Sequence, residues 1–548
     1  MDELTKVTED SARSGFFLFS GAALASVIMA VSAILLGRFL GPELYGQYNL
    51  ILVIPTLLLL FTDLGINAGI TKFAASLRKE GQNDKVPSII RHGMLFRLGI
   101  GIVLSIITVA FASYFALLIN HPGFDFYIQL ATVSVIFQVV FTTANSAFVG
   151  FDRSEYSALS ATVQAIVKTV MQVALVLLGF SVGGALIGYV GGFVIAAVLG
   201  AVVLLLKFMK PTRERTTKAV SDSGSHVLRL LAKYGMPVYV SVVLVGFFPL
   251  YQQIVLSFFS TDLAIGNFRA AFNFVTLFTV ISTSITTALL PAFSKLETAT
   301  PKLVSDFFNR ANKYTCLLIV PIAVMVMLFS GPIVQLIYGS EYNSAALFLS
   351  LSCSVYLLSV LGFLTLISVF NGLGKTRLTM NMTLINFALL LVLSPILAPL
   401  YDVVGVILAY LIGSAASAAY AAYVAVRQLN VKFDFKPTFR ICLIAALSSL
   451  APLGLLLYTS INYVIVLVLG ATVFLLVFMT MIPLMKIVTQ EELKSLTRVT
   501  QTVPLLKWVA KPVISYEQKI FHLMNGFGHP TELKPSEKTK NPPQTRLA

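Results

Sequence analysis

Charge is what this chain has least of. Lysine, arginine, aspartate and glutamate make up 11% of its 548 residues, less than half of the roughly 25% in ordinary soluble domains. Too few charges are available to clothe a water-facing surface, which excludes a water-soluble globular protein. Tryptophan occurs once and cysteine three times. Cys316, Cys353 and Cys442 all fall inside apolar runs, without metal-ligand spacing or a pairing pattern, so they read as reduced packing residues. No Walker loop is present, and no cofactor or metal is expected. The net charge of +15 is dispersed through short segments instead of being gathered in a basic domain, which argues against nucleic acid as a partner.

What is abundant is apolar sequence, 57% of all residues. A spanning helix needs about 20 mainly apolar residues to cross a 30 Å hydrocarbon layer with every backbone group bonded internally. Runs of that kind, bounded by Gly, Pro, Asn and charge clusters, predict spans at 16–37, 44–67, 93–119, 126–150, 156–180 and 182–206. Eight more follow at 236–259, 268–293, 313–336, 345–371, 378–400, 402–427, 438–460 and 463–486. The expected fold is an all-α integral membrane protein with about 14 transmembrane helices. The N-terminal run lacks an Ala-x-Ala cleavage site and reads as a first membrane helix, not a signal peptide.

With both termini placed in the cytoplasm, 35 of the 39 Lys and Arg residues fall on the inner side, as the positive-inside rule requires of a cell-membrane protein. The other four are Arg38, Arg97, Lys168 and Arg269. Connections on the outer side are very short, for example Asn120 to Asp125 and Tyr338 to Ser344, so function has to reside among the helices. The inner segments Thr71 to His92 and Lys207 to Gly235 mix basic and apolar residues, suiting either surface-lying helices on anionic lipid or solvated loops. Gln490 to Phe527 reads as short amphipathic pieces broken at Pro504 and Pro512, and the stretch from His529 as disordered.

Short signatures recur 220 to 222 residues apart. Phe148-Val149-Gly150 with Arg153 matches Phe370-Asn371-Gly372 with Lys375; Gly184, Tyr189 and Gly192 match Gly405, Tyr410 and Gly413; Gly46 and Tyr48 match Gly266 and Phe268. Six spans per unit give both units the same orientation, so an axis along the membrane normal should relate them. The expected division is a first six-helix lobe over 1–206, a cytoplasmic linker over 207–235, a second lobe over 236–427, helices 13 and 14 over 428–486 and the tail over 487–548. The two lobes are expected to face a central cavity.

The run Leu36-Gly37-Arg38-Phe39-Leu40-Gly41-Pro42-Glu43-Leu44-Tyr45-Gly46-Gln47-Tyr48, followed by Asp63-Leu64-Gly65-Ile66 and later by Phe370-Asn371-Gly372-Leu373-Gly374-Lys375-Thr376, resembles the polysaccharide-type lipid flippases. These form a branch of the multidrug/oligosaccharidyl-lipid/polysaccharide exporter superfamily. The resemblance covers the membrane region but not the tail after about Lys486. It implies a substrate in which a sugar chain is joined by phosphate or pyrophosphate to a polyisoprenol and moved from the inner to the outer leaflet. Fold analogy alone carries that substrate class.

Candidate site residues follow from misplaced polarity. Lys168 lies halfway along the fifth span, where a charge costs at least about 2.5–3.5 kcal/mol. With Ser160, Gln164 and Gln172 it forms a polar stripe at helical spacing that is expected to line the cavity and bind phosphate and sugar hydroxyls. The blander reading is a lysine paired with a carboxylate for packing. Its counterpart in the repeat is Leu390, so binding should favour the first lobe. Arg97 either snorkels to the inner headgroups or forms the cavity entrance. Arg38 and Arg269 either snorkel, pair with Glu43 or Asp262, or reach the cavity. Asp63 either anchors structure or binds a coupling cation, Na+ or H+.

The first functional hypothesis is therefore a flippase working by alternating access as a single chain among membrane lipids. An ion gradient, the membrane potential or the glycan gradient would drive it. An antiporter of cationic drugs would want a buried carboxylate in the first lobe. A membrane glycosyltransferase or ligase would need acidic catalytic residues or a substantial outer loop.

Overall fold

The structure, a computed structural model, describes residues 2–208, 224–458, 462–489, 492, 515–517 and 520. Most of the expected amphipathic pieces after Gln490, the stretch from His529 and the middle of the segment Lys207 to Gly235 lie outside the described residues. All regular structure among the described residues is helical. Inside hydrocarbon a backbone has no water to bond, so the apolar runs satisfy their own amides as helices.

The first half of the chain comprises α1 (Asp2–Ile51), α2 (Val53–Asp63), α3 (Ile66–Lys79), α4 (Val86–Ala110), α5 (Ala112–Leu118), α6 (Asp125–Gly150), α7 (Ser154–Leu175) and α8 (Ser181–Val203). The second comprises α9 (Gly224–Phe259), α10 (Asp262–Ser294), α11 (Pro301–Leu328), α12 (Ser330–Ile337), α13 (Ala345–Cys353), α14 (Phe363–Gly372) and α15 (Thr376–Leu429). Helices α16 (Phe435–Tyr458) and α17 (Tyr463–Leu484) follow. Their greater part forms a separate compact unit, in which Phe474 and Phe478 are buried and stack at 6.0 Å.

Among the described residues ten helical runs are long and apolar enough to cross a membrane, or eleven if the pair Ala345–Leu361 and Phe363–Gly372, bent by 55°, is one span. The difference from the fourteen expected spans lies in Phe17–Asp63, Ser154–Phe208 and Thr376–Leu429, of 47, 55 and 54 residues. Each is more than twice the ~20 residues of one crossing. Each also contains a residue outside helical geometry: Gly41 (φ 74°, ψ 170°), Ser181 (φ 48°, ψ −135°) and Asp402 (φ 54°, ψ −136°). These breaks fall at or beside the boundaries that the sequence predicts between spans.

Ser181 and Asp402 stand 221 residues apart and share both dihedral angles, although one is a small hydroxyl residue and the other an acid. Asp152 and Gly374, 222 apart, likewise share a positive φ (54° and 70°). The aromatic of each recurring Phe-x-Gly signature is buried, Phe148 in a cluster with Ile70, Ala74 and Ile90, Phe370 in one with Phe293, Phe308 and Ala425. The segment after the second span forms a helix: α3 buries Ile66, Gly69, Ile70 and Ala74 and places Arg78 and Lys79 in its last turn. Helix α4 begins at Val86, seven residues ahead of the expected span, because Ile89 and Ile90 pack into the same cluster.

Candidate functional site

The two halves of the chain meet where the segment after Gly41 crosses the start of α10. A Cβ on Gly46 would collide with the carbonyl of Asp262, and one on Gly266 with the carbonyl of Pro42. Each collision is with the residue four positions before the other glycine. The contact is thus reciprocal, as between equivalent surfaces about a two-fold axis. Only residues without a side chain allow backbones this close.

Around that crossing lies a polar seam. Arg269 Nε donates to Asn49 Oδ1 at 3.0 Å, and these two residues are 220 apart, matching positions across the same axis. Asn273 Nδ2 donates to the hydroxyls of Tyr45 and Tyr338, each at 3.0 Å, and the Tyr342 hydroxyl donates to Gly37 O at 2.6 Å. Asp262 receives Gln47 Nε2 at 2.9 Å and His121 Nε2 at 2.6 Å, while His121 Nδ1 donates to Ile119 O at 2.7 Å. With a carbonyl on one ring nitrogen and a carboxylate on the other, His121 is set up as an imidazolium. Its hydrogen bond to Asp262 holds its pKa above the ordinary value despite partial burial. Burial works to raise the Asp262 carboxyl, but its bonds from His121 and Gln47 outweigh that and hold it below the usual range.

The guanidinium of Arg269 lies 5.7 Å from the Phe272 ring centroid, and no carboxylate among the described residues is within ion-pair distance of it. It does not pair with Asp262, whose oxygens are taken by His121 and Gln47. Arg38 is exposed and outside the seam.

The remaining candidates sit elsewhere. The stripe on α7 faces α8. Lys168 packs its Cβ against Gly192 and holds Nζ 5.1 Å from the Tyr189 ring centroid, with no carboxylate partner among the described residues. Gln172 donates to the Tyr48 hydroxyl at 2.7 Å and to Ala185 O at 2.9 Å and accepts from Ser32 Oγ. Its bonding capacity is spent inside the first half. Gln164 is buried, and Ser160 lies against Gly200. The stripe and the glycines Gly188 and Gly192 of α8 are two sides of one close helix contact.

Arg97 is held inside the first half by its neighbours. It is 1% exposed and ties α4 to its neighbours, donating to Thr62 O at 3.3 Å, Asn67 Oδ1 at 2.7 Å and Thr142 Oγ1 at 3.1 Å. Asp63 sits 3.4 Å from Arg97 Nε and accepts from the Asn67 amide at 3.1 Å, bracing the left-handed Leu64-Gly65 turn that ends α2.

A cavity of about 330 Å³ lies within the second half among α9, α10, α14 and α15. Phe272, the ring beneath Arg269, is part of its wall. Of its lining only Thr279 belongs to a stretch that stands out in the sequence, the hydroxyl-rich run Thr276 to Thr287; the rest are ordinary for membrane helices and converge from segments over 170 residues apart. His121, Asn49 and Asn273 were missed as well, although the matched pair Gly46 and Gly266 carries the signal that positions 49 and 269 meet.

The family model described as polysaccharide biosynthesis protein matches residues 11–297, more than half of the chain. The chain belongs to that family. Relatives in sequence include the lipid II flippase MurJ of Bacillus subtilis, 23% identical over 74% of this chain and 80% of that protein. The probable flippase AglR of Haloferax volcanii is also 23% identical, over 61% of this chain and 67% of its own length. Among solved structures, the inward closed conformation of lipid II flippase MurJ superposes with a TM-score of 0.65 at 17% identity, covering 85% of this chain and 99% of that one. An inward-facing multidrug resistance MATE family transporter of the MOP superfamily gives 0.61 at 14%, covering 75% and 98%. Those likenesses establish the fold. The family match spans Asn49, Asp63, Arg97, His121, Lys168, Asp262 and Arg269, whereas the α14 and α15 walls of the cavity lie beyond it.

Proposed function

We propose that the chain is a flippase that moves a lipid-linked oligosaccharide or polysaccharide unit from the inner to the outer leaflet of the cell membrane by alternating access. In this reading the three long runs fold back at Gly41, Ser181 and Asp402 and the bent pair Ala345–Leu361 and Phe363–Gly372 is one span, which brings the crossings to fourteen with both termini inside. Residues 1–206 and 236–427 act as two six-helix lobes within a single chain. The shared dihedrals of Ser181 and Asp402 and the reciprocal contact at Gly46 and Gly266 support that division.

The observation that carries the proposal is the Arg269 guanidinium, uncompensated by a carboxylate and held between the halves. In a low-dielectric interior such a cation is costly unless an anion visits it. A sugar phosphate or pyrophosphate is that anion, and the planar fork of arginine suits it. With the seam closed at the end carrying Gly41 and His121, the headgroup enters from the opposite end while its isoprenoid stays in lipid. The phosphate then competes with Asn49 for Arg269, the seam loses its central bond, and the lobes separate on the outer side. Lys168 supplies a second cation deeper in the first lobe. A cationic drug would be repelled by both, which disfavours the antiporter reading. An ion gradient, the membrane potential or the glycan gradient supplies the energy.

The test is headgroup translocation of a fluorescent lipid-linked oligosaccharide in proteoliposomes. Arg269→Ala should lower the rate about tenfold or more, a charge-assisted bond being worth roughly 1.5–3 kcal/mol, and Lys168→Ala should lower it less. Wild-type rates in both variants would remove the cationic site.

A further inference from the structure

The cavity in the second half is neutral but not merely greasy. Among the described residues no charged one lines it, and rings from Phe248, Phe272, Tyr356 and Tyr410 make up much of its wall. The polar atoms that face it have one sense. The Thr279, Thr383 and Ser417 hydroxyls donate to Val275 O, Thr379 O and Met382 O at 3.2, 3.1 and 2.9 Å. What they offer the cavity is therefore oxygen lone pairs. Asn386 is 7% exposed and donates Nδ2 to Ser414 Oγ at 3.0 Å, while its Oδ1 is closed off from the cavity beside Gly413. Gln252, also 7% exposed, turns its amide to the same space. The wall thus accepts far more hydrogen bonds than it donates.

A hydrocarbon occupant would leave the Gln252 amide unbonded, at a cost that buried polar groups do not ordinarily bear. An occupant rich in hydroxyl donors, with apolar C–H faces for the rings, satisfies every one of these groups. A covalently bonded sugar atom takes roughly half of the ~30 Å³ share of one liquid water, so 330 Å³ admits one hexose with room to spare. Phe272 joins this space to Arg269. Its ring forms part of the wall and lies under the guanidinium.

We propose that this chamber holds an uncharged sugar ring of the lipid-linked substrate, next to the phosphate, while the phosphate lies on Arg269. The proposal rests on the flippase reading and adds to it a subsite in the second lobe. It makes the second lobe the reader of the glycan's first sugar and the cation only the reader of its charge.

Equilibrium dialysis of the full chain in detergent tests this with two radiolabelled probes, farnesyl diphosphate and the same lipid bearing one neutral hexose. The hexosyl lipid should bind about tenfold more tightly, the effect of roughly two neutral hydrogen bonds. Asn386→Leu combined with Gln252→Leu, nearly unchanged in volume, should abolish that preference without weakening the sugar-free lipid. A preference that survives the double variant, no preference in the intact protein, or tighter sugar-free binding by the leucine pair would each overturn the proposal, the last pointing to an isoprenoid occupant. If the leucine pair does not fold, Thr383→Cys in a background without Cys316, Cys353 and Cys442 serves instead. Its alkylation should be slowed by the hexosyl lipid and not by the sugar-free one, and equal rates would sink the chamber. Failure of the intact protein to translocate any glycosylated lipid would instead sink the flippase reading, leaving a sugar-dependent affinity to stand or fall by itself.

Discussion

At the scale of single residues, His121 gives the seam a pH dependence whose sign is fixed. His121 is held above its ordinary pKa by Asp262, so its contribution is complete below about 6.5 and is lost as pH rises through the raised value. Asp262 is held below its ordinary value by His121 and Gln47 against the opposing effect of burial. Its contribution is therefore complete above about 3.9 and is lost as pH falls through the lowered value. The seam should be tightest between about pH 4 and 6.5 and should loosen on the alkaline side. Spin labels at the exposed residues Arg38 and Asn343 should report longer distances as pH rises through the raised His121 value, and His121→Gln should flatten that response. An unchanged distance distribution between pH 6 and 9 in the intact protein would contradict it. Arg97 behaves differently, because its task is structural. Arg97→Ala strands Asp63, Asn67 and the Thr62 carbonyl. Removing one partner of a buried pair costs 3–5 kcal/mol, and since Asp63 is 28% exposed the loss should be near ~3 kcal/mol, seen as a lower melting temperature in detergent. Arg97→Lys should recover little, having no fork to share among four acceptors.

At the scale of elements, the crossing of the segment after Gly41 with α10 is a single geometric event, and substitutions there should not add. Gly46→Ala and Gly266→Ala each force a methyl into a carbonyl of the other partner. Overpacking of that kind costs about 1–3 kcal/mol. Once one methyl has pushed the backbones apart, the second finds part of its space made. The double variant should therefore lose less than the sum of the singles by roughly 0.5 kcal/mol or more, and strict additivity would mean that the two collisions are independent. This is also where the limits of the sequence become physical. Apolar length alone placed the helices well, since the bilayer demands it, and the breaks at Gly41, Ser181 and Asp402 lie at or beside the predicted boundaries. Which face of a helix meets which neighbour was not legible for α7. Its Lys168, Gln164 and Gln172 form a polar stripe, and polarity on a membrane helix marks only that lipid is avoided. A glycine face on α8 satisfies that demand as well as a cavity does.

At the scale of the whole molecule, the repeat and its violations carry different information. Positions that match in geometry, Ser181 with Asp402 and Gly46 with Gly266, recur where an axis has to be maintained. Positions that match in sequence register but differ in chemistry, Asn49 with Arg269 and Lys168 with Leu390, break that symmetry. Such a division fits the proposed alternating access, in which the seam opens and closes around an occupant, and that can be forced. In a chain lacking Cys316, Cys353 and Cys442, cysteines placed at Gln47 and Asp262, whose side chains now touch at 2.9 Å, can be joined by a short reducible linker. If the halves must part at this seam, the linked protein should hold lipid-linked oligosaccharide without translocating it, and cleavage of the linker should restore the rate. Translocation at the full rate with the linker intact would place the moving gate elsewhere. Loss of both binding and translocation would instead show that the linker blocks entry, which a seam at the end opposite to the entrance does not allow.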